Sequence, residues 1–174
     1  KSKEDATMLL NHKKALDFIT ADLDYLKSLT LNKVIDIHTL LISDLGISKN
    51  IRKRAVAITG TNYKPLAIES QINEALQNTV ALVNSKDNVF EKSLLLLCLL
   101  SYIQAFEDGN KRTARIVSNA ILMSFNHCPL SYRTISAVEY KKAMLLFYEQ
   151  NNLSEMKKIF IDQFEFAVNQ YFDL

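Results

Sequence analysis

The sequence predicts an all-α domain built around one deeply buried helix, with a short β-hairpin or extended flap as its exception. Three observations carry that expectation. Only three glycines and two prolines occur in 174 residues, too few for the turns of a barrel or sandwich. Apolar residues recur at helical spacing along most of the chain. The one long segment that breaks this spacing contains Gly60 and Pro65, and proline is excluded from helix interiors. With 48% apolar and 23% charged residues, the chain is too apolar for disorder and long enough for a single core over residues 1–174.

A first helix is expected over about residues 5–28, through Met8, Ala15, Leu16, Ile19, Leu23 and Leu26. Leu31 to Leu45 repeats the pattern through Val34, Ile35, Ile37, Leu40 and Leu41, and Gly46 supplies a stop. "NIRKRAVAITGTNYKPLA" then changes character: Val56 and Ile58 alternate with smaller neighbours, and Gly60-Thr61-Asn62 has turn chemistry. This is the hairpin or flap. Helical spacing returns from Ile68 to Val83, and Asn84 to Asn88 form a polar connection. Phe90 to Phe106 is apolar almost all the way round, which marks the central helix. Lys111 to Phe125 is amphipathic, Pro129 interrupts, and "SAVEYKKAMLLFYEQ" and "SEMKKIFIDQFEFAVNQYF" supply two more helices.

Composition narrows the classes of function. A formal charge of +2 is too small to imply nucleic-acid binding. Cys98 and Cys128 have no metal-type spacing with each other or with the three histidines, so two reduced thiols in a cytoplasmic protein are expected. The apolar run between Lys92 and Asp108 is shorter than the ~20 residues of a membrane span. The chain begins at Lys1 rather than Met, so a segment is expected upstream.

One feature asks for a ligand. Lys111, Arg112 and Arg115 fall in the opening turns of a helix, directly after Asp108-Gly109-Asn110. Unpaired N–H groups and the positive end of the helix dipole already occupy such a place, so added cations repel unless an anion binds. Gly109 permits close backbone approach, and Arg forks match phosphate oxygens. Asp108 beside them would hold Mg²⁺ bridging phosphates, since that ion favours one or two carboxylates plus ligand oxygens. Pairing of the same cations with Glu107 and Asp108 is the competing arrangement.

"FEDGNKRTAR" resembles the signature of the Fic domain family, His-x-Phe-x-(Asp or Glu)-Gly-Asn-x-x-x-x-Arg. Phe106, Asp108, Gly109, Asn110 and Arg115 match, and Arg112 stands at a further Arg common in the family. "VAITGTNYKP" is similar to the family's target-docking flap, and "LLNHKKALDFI" to its first core helix. The resemblance implies transfer of AMP from ATP, with Mg²⁺, to a hydroxyl side chain of a target protein. It implies Asp108 as the Mg²⁺ ligand, Gly109 and Asn110 lining an anion hole, and Arg112 and Arg115 clamping the β- and γ-phosphates, with Lys111 also at the nucleotide. Phe106 would anchor the loop, Tyr140 and Tyr148 would border an adenine pocket, and Ala57, Ile58, Thr59, Gly60 and Thr61 would dock the target by strand addition.

One position departs. The motif's leading His, which accepts the hydroxyl proton, is Gln104 here. A carboxamide has no site that titrates in the useful range, so impaired AMP transfer is expected. His12, His38 and His127 are expected at the surface or core edge, and Glu107 and Tyr102 are poor substitutes for the base. No Glu is followed by Gly or Asn, so the family's inhibitory motif is missing and is expected upstream of Lys1. Three readings stay open: a nucleotide-binding protein with impaired transfer, a transferase with another base, and a non-catalytic toxin–antitoxin-like interaction module. Homo-oligomerisation is compatible with each.

Overall fold

A computed structural model describes residues 2–172. Among them lie seven helices: α1 (Lys3–Ala21), α2 (Leu31–Leu41), α3 (Glu69–Ser85), α4 (Val89–Ile103), α5 (Asn110–Ser124), α6 (Ala137–Gln150) and α7 (Ser154–Phe172). The expected all-α class is what the chain adopts. Local chemistry sets several of the starts. Ser2 with Asp5 and Ser136 with Glu139 form capping boxes, Thr30 caps α2, and Asn88 accepts from the N–H groups of Phe90 and Glu91, satisfying donors that the first turn leaves free.

Helix α4 occupies the centre, against α5, α3 and α6, while α2 bridges α1 and α5. Leu96, Leu97 and Cys98 are fully enclosed. Helix α5 packs most closely on α4, and its Ala114, Val117, Ala120 and Ile121 are all buried. The start of α5, the end of α4 and the loop between them are therefore held by the best-packed part of the molecule.

Three elements differ from expectation. Helix α1 stops at Ala21 rather than near residue 28. Leu26 and Leu29 are buried from an irregular segment instead, which Asn84 ties down by exchanging two hydrogen bonds with the Leu29 backbone. Only Asn11, Ala15 and Ile19 of α1 are buried, a single i, i+4, i+8 line, so Leu9, Leu10, Leu16 and Phe18 remain exposed. Helix α4 ends at Ile103 rather than Phe106, because Gln104 turns left-handed, with φ 51° and ψ 56°.

The flap is extended but forms no β-hairpin among the described residues. Val56 and Ile58 turn inward while Ala55, Ala57 and Thr59 face out, which is the alternation of a strand without a partner. Side chains hold it where a ladder would: Arg52 at one end, Thr61 and Tyr63 at the other. No helix among the described residues is long and apolar enough to cross a membrane.

Candidate anion-binding site

Residues 104–109 join the centre of the fold to the first turn of α5, and most of the loop's backbone polar groups have an internal partner. The Asn110 carboxamide accepts from the Phe106 N–H at 2.9 Å and donates to the Phe106 carbonyl at 2.8 Å. This closes a ring from 106 to 110 and engages the Asn110 side chain within the loop. Phe106 is buried. Gly109 adopts φ 82°, and a Cβ there would lie 3.2 Å from Ile42 and 3.3 Å from the His38 ring. Both its conformation and its surroundings therefore require glycine.

The outward-facing groups are unspent. The first intrahelical bond of α5 runs from the Thr113 N–H to the Gly109 carbonyl, and α5 has no side-chain N-cap. The N–H groups of Asn110, Lys111 and Arg112 thus have no partner among the described residues. Arg112 makes one ion pair, Nη2 to the exposed Asp108 carboxylate at 3.3 Å, and its Nη1 is buried without a partner. Asp108 also accepts from the Gly109 N–H at 2.6 Å. Arg115 is held over the rings of Tyr140 and Tyr132, 4.6 and 5.4 Å from their centroids, a cation–π arrangement that fixes the guanidinium without neutralising it.

A cleft of about 250 Å³ opens beside this helix start, lined by Lys111, Arg115, Tyr140, Tyr148, Ser101 and Lys141, with Ile58 of the flap above. Lys111, Arg115 and Lys141 form no ion pair among the described residues. Burial holds both tyrosine hydroxyls above their ordinary pKa, with Arg115 opposing the effect at Tyr140, so both stay neutral donors. The structure thus brings Lys111, Arg115, Tyr140, Tyr148 and Ile58 to one cleft, with Asp108, Gly109 and Arg112 on the adjoining loop. Ala57, Thr59 and Gly60 are exposed on the flap, whose tip is latched by Thr61 Oγ1 donating to Glu149 at 2.5 Å.

Residues 28–122, more than half of the chain, match the profile of the Fic/DOC family. The chain belongs to the Fic/DOC family. Solved structures of Fic proteins share its fold at low identity. Fic-1 (residues 134–508) from C. elegans superposes with a TM-score of 0.83 at 19% identity, over 99% of this chain and 52% of that one. A Fic family protein from Desulfovibrio desulfuricans G20 gives 0.81 at 14% identity, over 99% and 55%. BepC, a VirB-translocated effector from Bartonella tribocorum solved with bound AMPPNP, gives 0.71 at 17%, over 92% and 84%. The chain spans about half the length of the first and second of these.

At the departing position of this Fic domain, the Gln104 side chain folds back, its Nε2 donating to the Ser101 carbonyl at 2.7 Å. Its amide oxygen is left as an acceptor. Two residues that bind the loop from beneath were not singled out from sequence. Arg52 is 1% exposed and donates to the carbonyls of Gln104, Arg54, Leu66 and Ile103. His38, expected at a surface or core edge, is 0% exposed and lies under Asp108 and Gly109. Burial and the nearby Arg112 push its pKa down, against the pull of Asp108, so it is neutral. A signal existed for His38: with Val34 and Leu41 it follows the i, i+4, i+7 line of α2. For Arg52, no local pattern distinguishes it from Lys53 and Arg54.

Among the described residues, no cluster of three or more His, Cys, Asp or Glu side chains forms. A dedicated metal cage is thus absent there, but the single exposed Asp108 carboxylate suits Mg²⁺ that arrives with phosphates and keeps its waters.

Proposed function

We propose that this Fic domain binds ATP with Mg²⁺ on the loop that opens α5 and along the tyrosine-lined cleft. We further propose that its transfer of AMP to a hydroxyl side chain is impaired by Gln104. The observation that carries the reading is the Arg112 guanidinium, whose buried Nη1 has no acceptor. An unsatisfied buried donor on a cation costs more than ~1 kcal/mol, and a phosphate oxygen removes that cost. Three N–H groups without partners at the same helix start and Arg115, which forms no ion pair among the described residues, support it, as they bring donors to one place. BepC, a relative in fold, was solved with AMPPNP.

The roles follow from the chemistry. Asn110, Lys111 and Arg112 offer backbone N–H groups to phosphate oxygens, and the Arg112 and Arg115 side chains neutralise charge that grows on departing pyrophosphate. Asp108 would hold Mg²⁺, which supplies further charge neutralisation on the phosphates when bound. Tyr140 and Tyr148 offer a neutral aromatic wall for the base. The attacking hydroxyl must lose a proton, and Gln104 accepts a hydrogen bond but not the proton. Loss of a general base lowers rates by about 10² to 10⁴.

The target would dock as a strand on the flap. In support, residues 55–59 alternate in exposure and their backbone groups have no partners among the described residues. Backbone pairing of this kind gives affinity with little demand on sequence.

Calorimetric titration with ATP and Mg²⁺, on the wild type and Arg115→Ala, tests binding: heat in the first and little in the second is expected. No binding by the wild type rejects the reading and leaves a non-catalytic module. Transfer of labelled ATP to lysate proteins, before and after Gln104→His, tests the impairment. Label only after the change supports it, and equal label in both points to another base.

A further inference from the structure

We infer that His38 is a positioning residue for the phosphate loop, locking the Asp108–Gly109 peptide with its carbonyl turned away from the ligand. The inference rests on the nucleotide-binding reading above and concerns what keeps that site in shape. His38 projects from α2, 70 residues away in sequence, and its Nε2 lies 2.8 Å from the Asp108 carbonyl oxygen. A carbonyl only accepts, so Nε2 carries the hydrogen and Nδ1 is bare. Nδ1 is indeed buried with no partner, so the ring makes its one polar contact with this loop. The imidazole also stacks flat on Phe106, 3.6 Å between centroids and 9° between planes, which fixes the direction of the donor.

The peptide that His38 holds is the one most able to rotate. Gly109 follows it, and glycine tolerates both signs of φ, so Asp108–Gly109 has a low barrier to a peptide flip. A flip would swing the Asp108 carbonyl toward the helix start, placing a partial negative charge among donors aimed at phosphate. It would also break the Gly109 N–H bond to the Asp108 carboxylate, now 2.6 Å. The absent Cβ of Gly109 is what lets the imidazole approach, since that atom would sit 3.3 Å from its Cδ2. Glycine thus allows the flip, and His38 opposes it.

His38→Phe keeps the ring and the stack but removes the donor, and His38→Gln restores a donor without the ring. Calorimetry with ATP and Mg²⁺ is expected to show about tenfold weaker binding for the Phe variant, the scale of one buried hydrogen bond, and recovery to within about threefold for the Gln variant. Amide hydrogen exchange at Gly109 and Asn110, read without ligand, should accelerate in the Phe variant and return toward wild type in the Gln variant. A Phe variant with wild-type affinity and wild-type exchange overturns the inference while leaving nucleotide binding intact. If the wild type itself binds no nucleotide, the functional reading fails and the exchange data decide the role of His38 alone. Should the Phe variant not fold, the imidazole ¹⁵N shifts of the wild type decide: a proton on Nε2 is required, and a proton on Nδ1 refutes the lock.

Discussion

Replacing Arg52 by Met tests what holds the flap and the end of α4 together. The guanidinium is buried with no carboxylate beside it, and its charge is met by four carbonyls: Gln104 at 2.5 Å, Leu66 at 2.6 Å, Arg54 at 2.9 Å and Ile103 at 3.3 Å. Two of these close α4, where the helix dipole favours a cation. Burial lowers the pKa of Arg52 but leaves a guanidinium charged at neutral pH. Methionine keeps the apolar stem and strands the carbonyls, each at a cost of about 1 kcal/mol, while relieving the burial of a charge. The net loss expected is about 3 kcal/mol, a large fraction of the 5–15 kcal/mol typical of a domain. Lysine does not rescue it, because one ammonium cannot fork to four acceptors. Urea unfolding followed by circular dichroism reads the difference. A loss below about 1 kcal/mol with an unchanged slope would show that water replaces the guanidinium freely, and the staple would be no staple.

Gly109→Ala combines a left-handed φ with contacts at 3.2 and 3.3 Å, so it should lower stability by about 1–3 kcal/mol and abolish nucleotide binding by calorimetry. Thr61→Val breaks the latch to Glu149 and should expose the flap to limited proteolysis between 53 and 64, with global stability shifted by less than about 1 kcal/mol. Burial pushes the Cys98 thiol from 9.0 up to about 12, and only thiolate reacts, so at pH 8 an aromatic disulfide should label the half-buried Cys128 alone. By linkage, the unfolded chain releases the Cys98 proton near pH 9 and the folded chain near 12, so its contribution is intact below pH 9 and falls across that window in a pH series of unfolding curves. Asp108→Asn removes an exposed i,i+4 pair with Arg112 worth about 0.3–0.5 kcal/mol. Pyrophosphate without Mg²⁺ should then bind about twofold tighter, and ATP with Mg²⁺ more weakly, both by calorimetry.

The helices were legible because each buries a stripe whose spacing is local, as in Val34, Ile37 and Leu41 of α2. Their ends were less so. Leu26 and Leu29 look like a continuation of α1, but their burial is served by an irregular turn whose partner, Asn84, lies 55 residues from Leu29. At the end of α4, no residue before Gln104 carries a stop signal; the chain turns left-handed at Gln104, whose carbonyl is bonded by Arg52 from 52 residues away. The flap was read from alternation, which reports two faces but not whether a partner strand exists. The motif residues were visible as a cluster of cations after Asp-Gly-Asn. The place of His38 on the buried stripe of α2 was legible but its role was not, since that depends on a loop 70 residues downstream.

The division of labour around the loop bears on how the proposed anion site could persist with Gln104 in place of the motif His. Beneath, the side chains of Arg52, His38 and Asn110 hold backbone groups of Gln104, Asp108 and Phe106. Above, among the described residues, the N–H groups of 110–112 have no partner and the Arg115 guanidinium has no ion pair to give up, and Arg112 gives up only one exposed pair. An anion therefore meets donors that are already aimed, which keeps the ordering cost of binding low. Gln104 belongs to the lower layer: Arg52 holds its backbone carbonyl, and its side chain is tied to the Ser101 carbonyl through Nε2, with no ligand needed for either bond. Exchanging imidazole for carboxamide at that position removes a proton acceptor and leaves the donors for phosphate where they were.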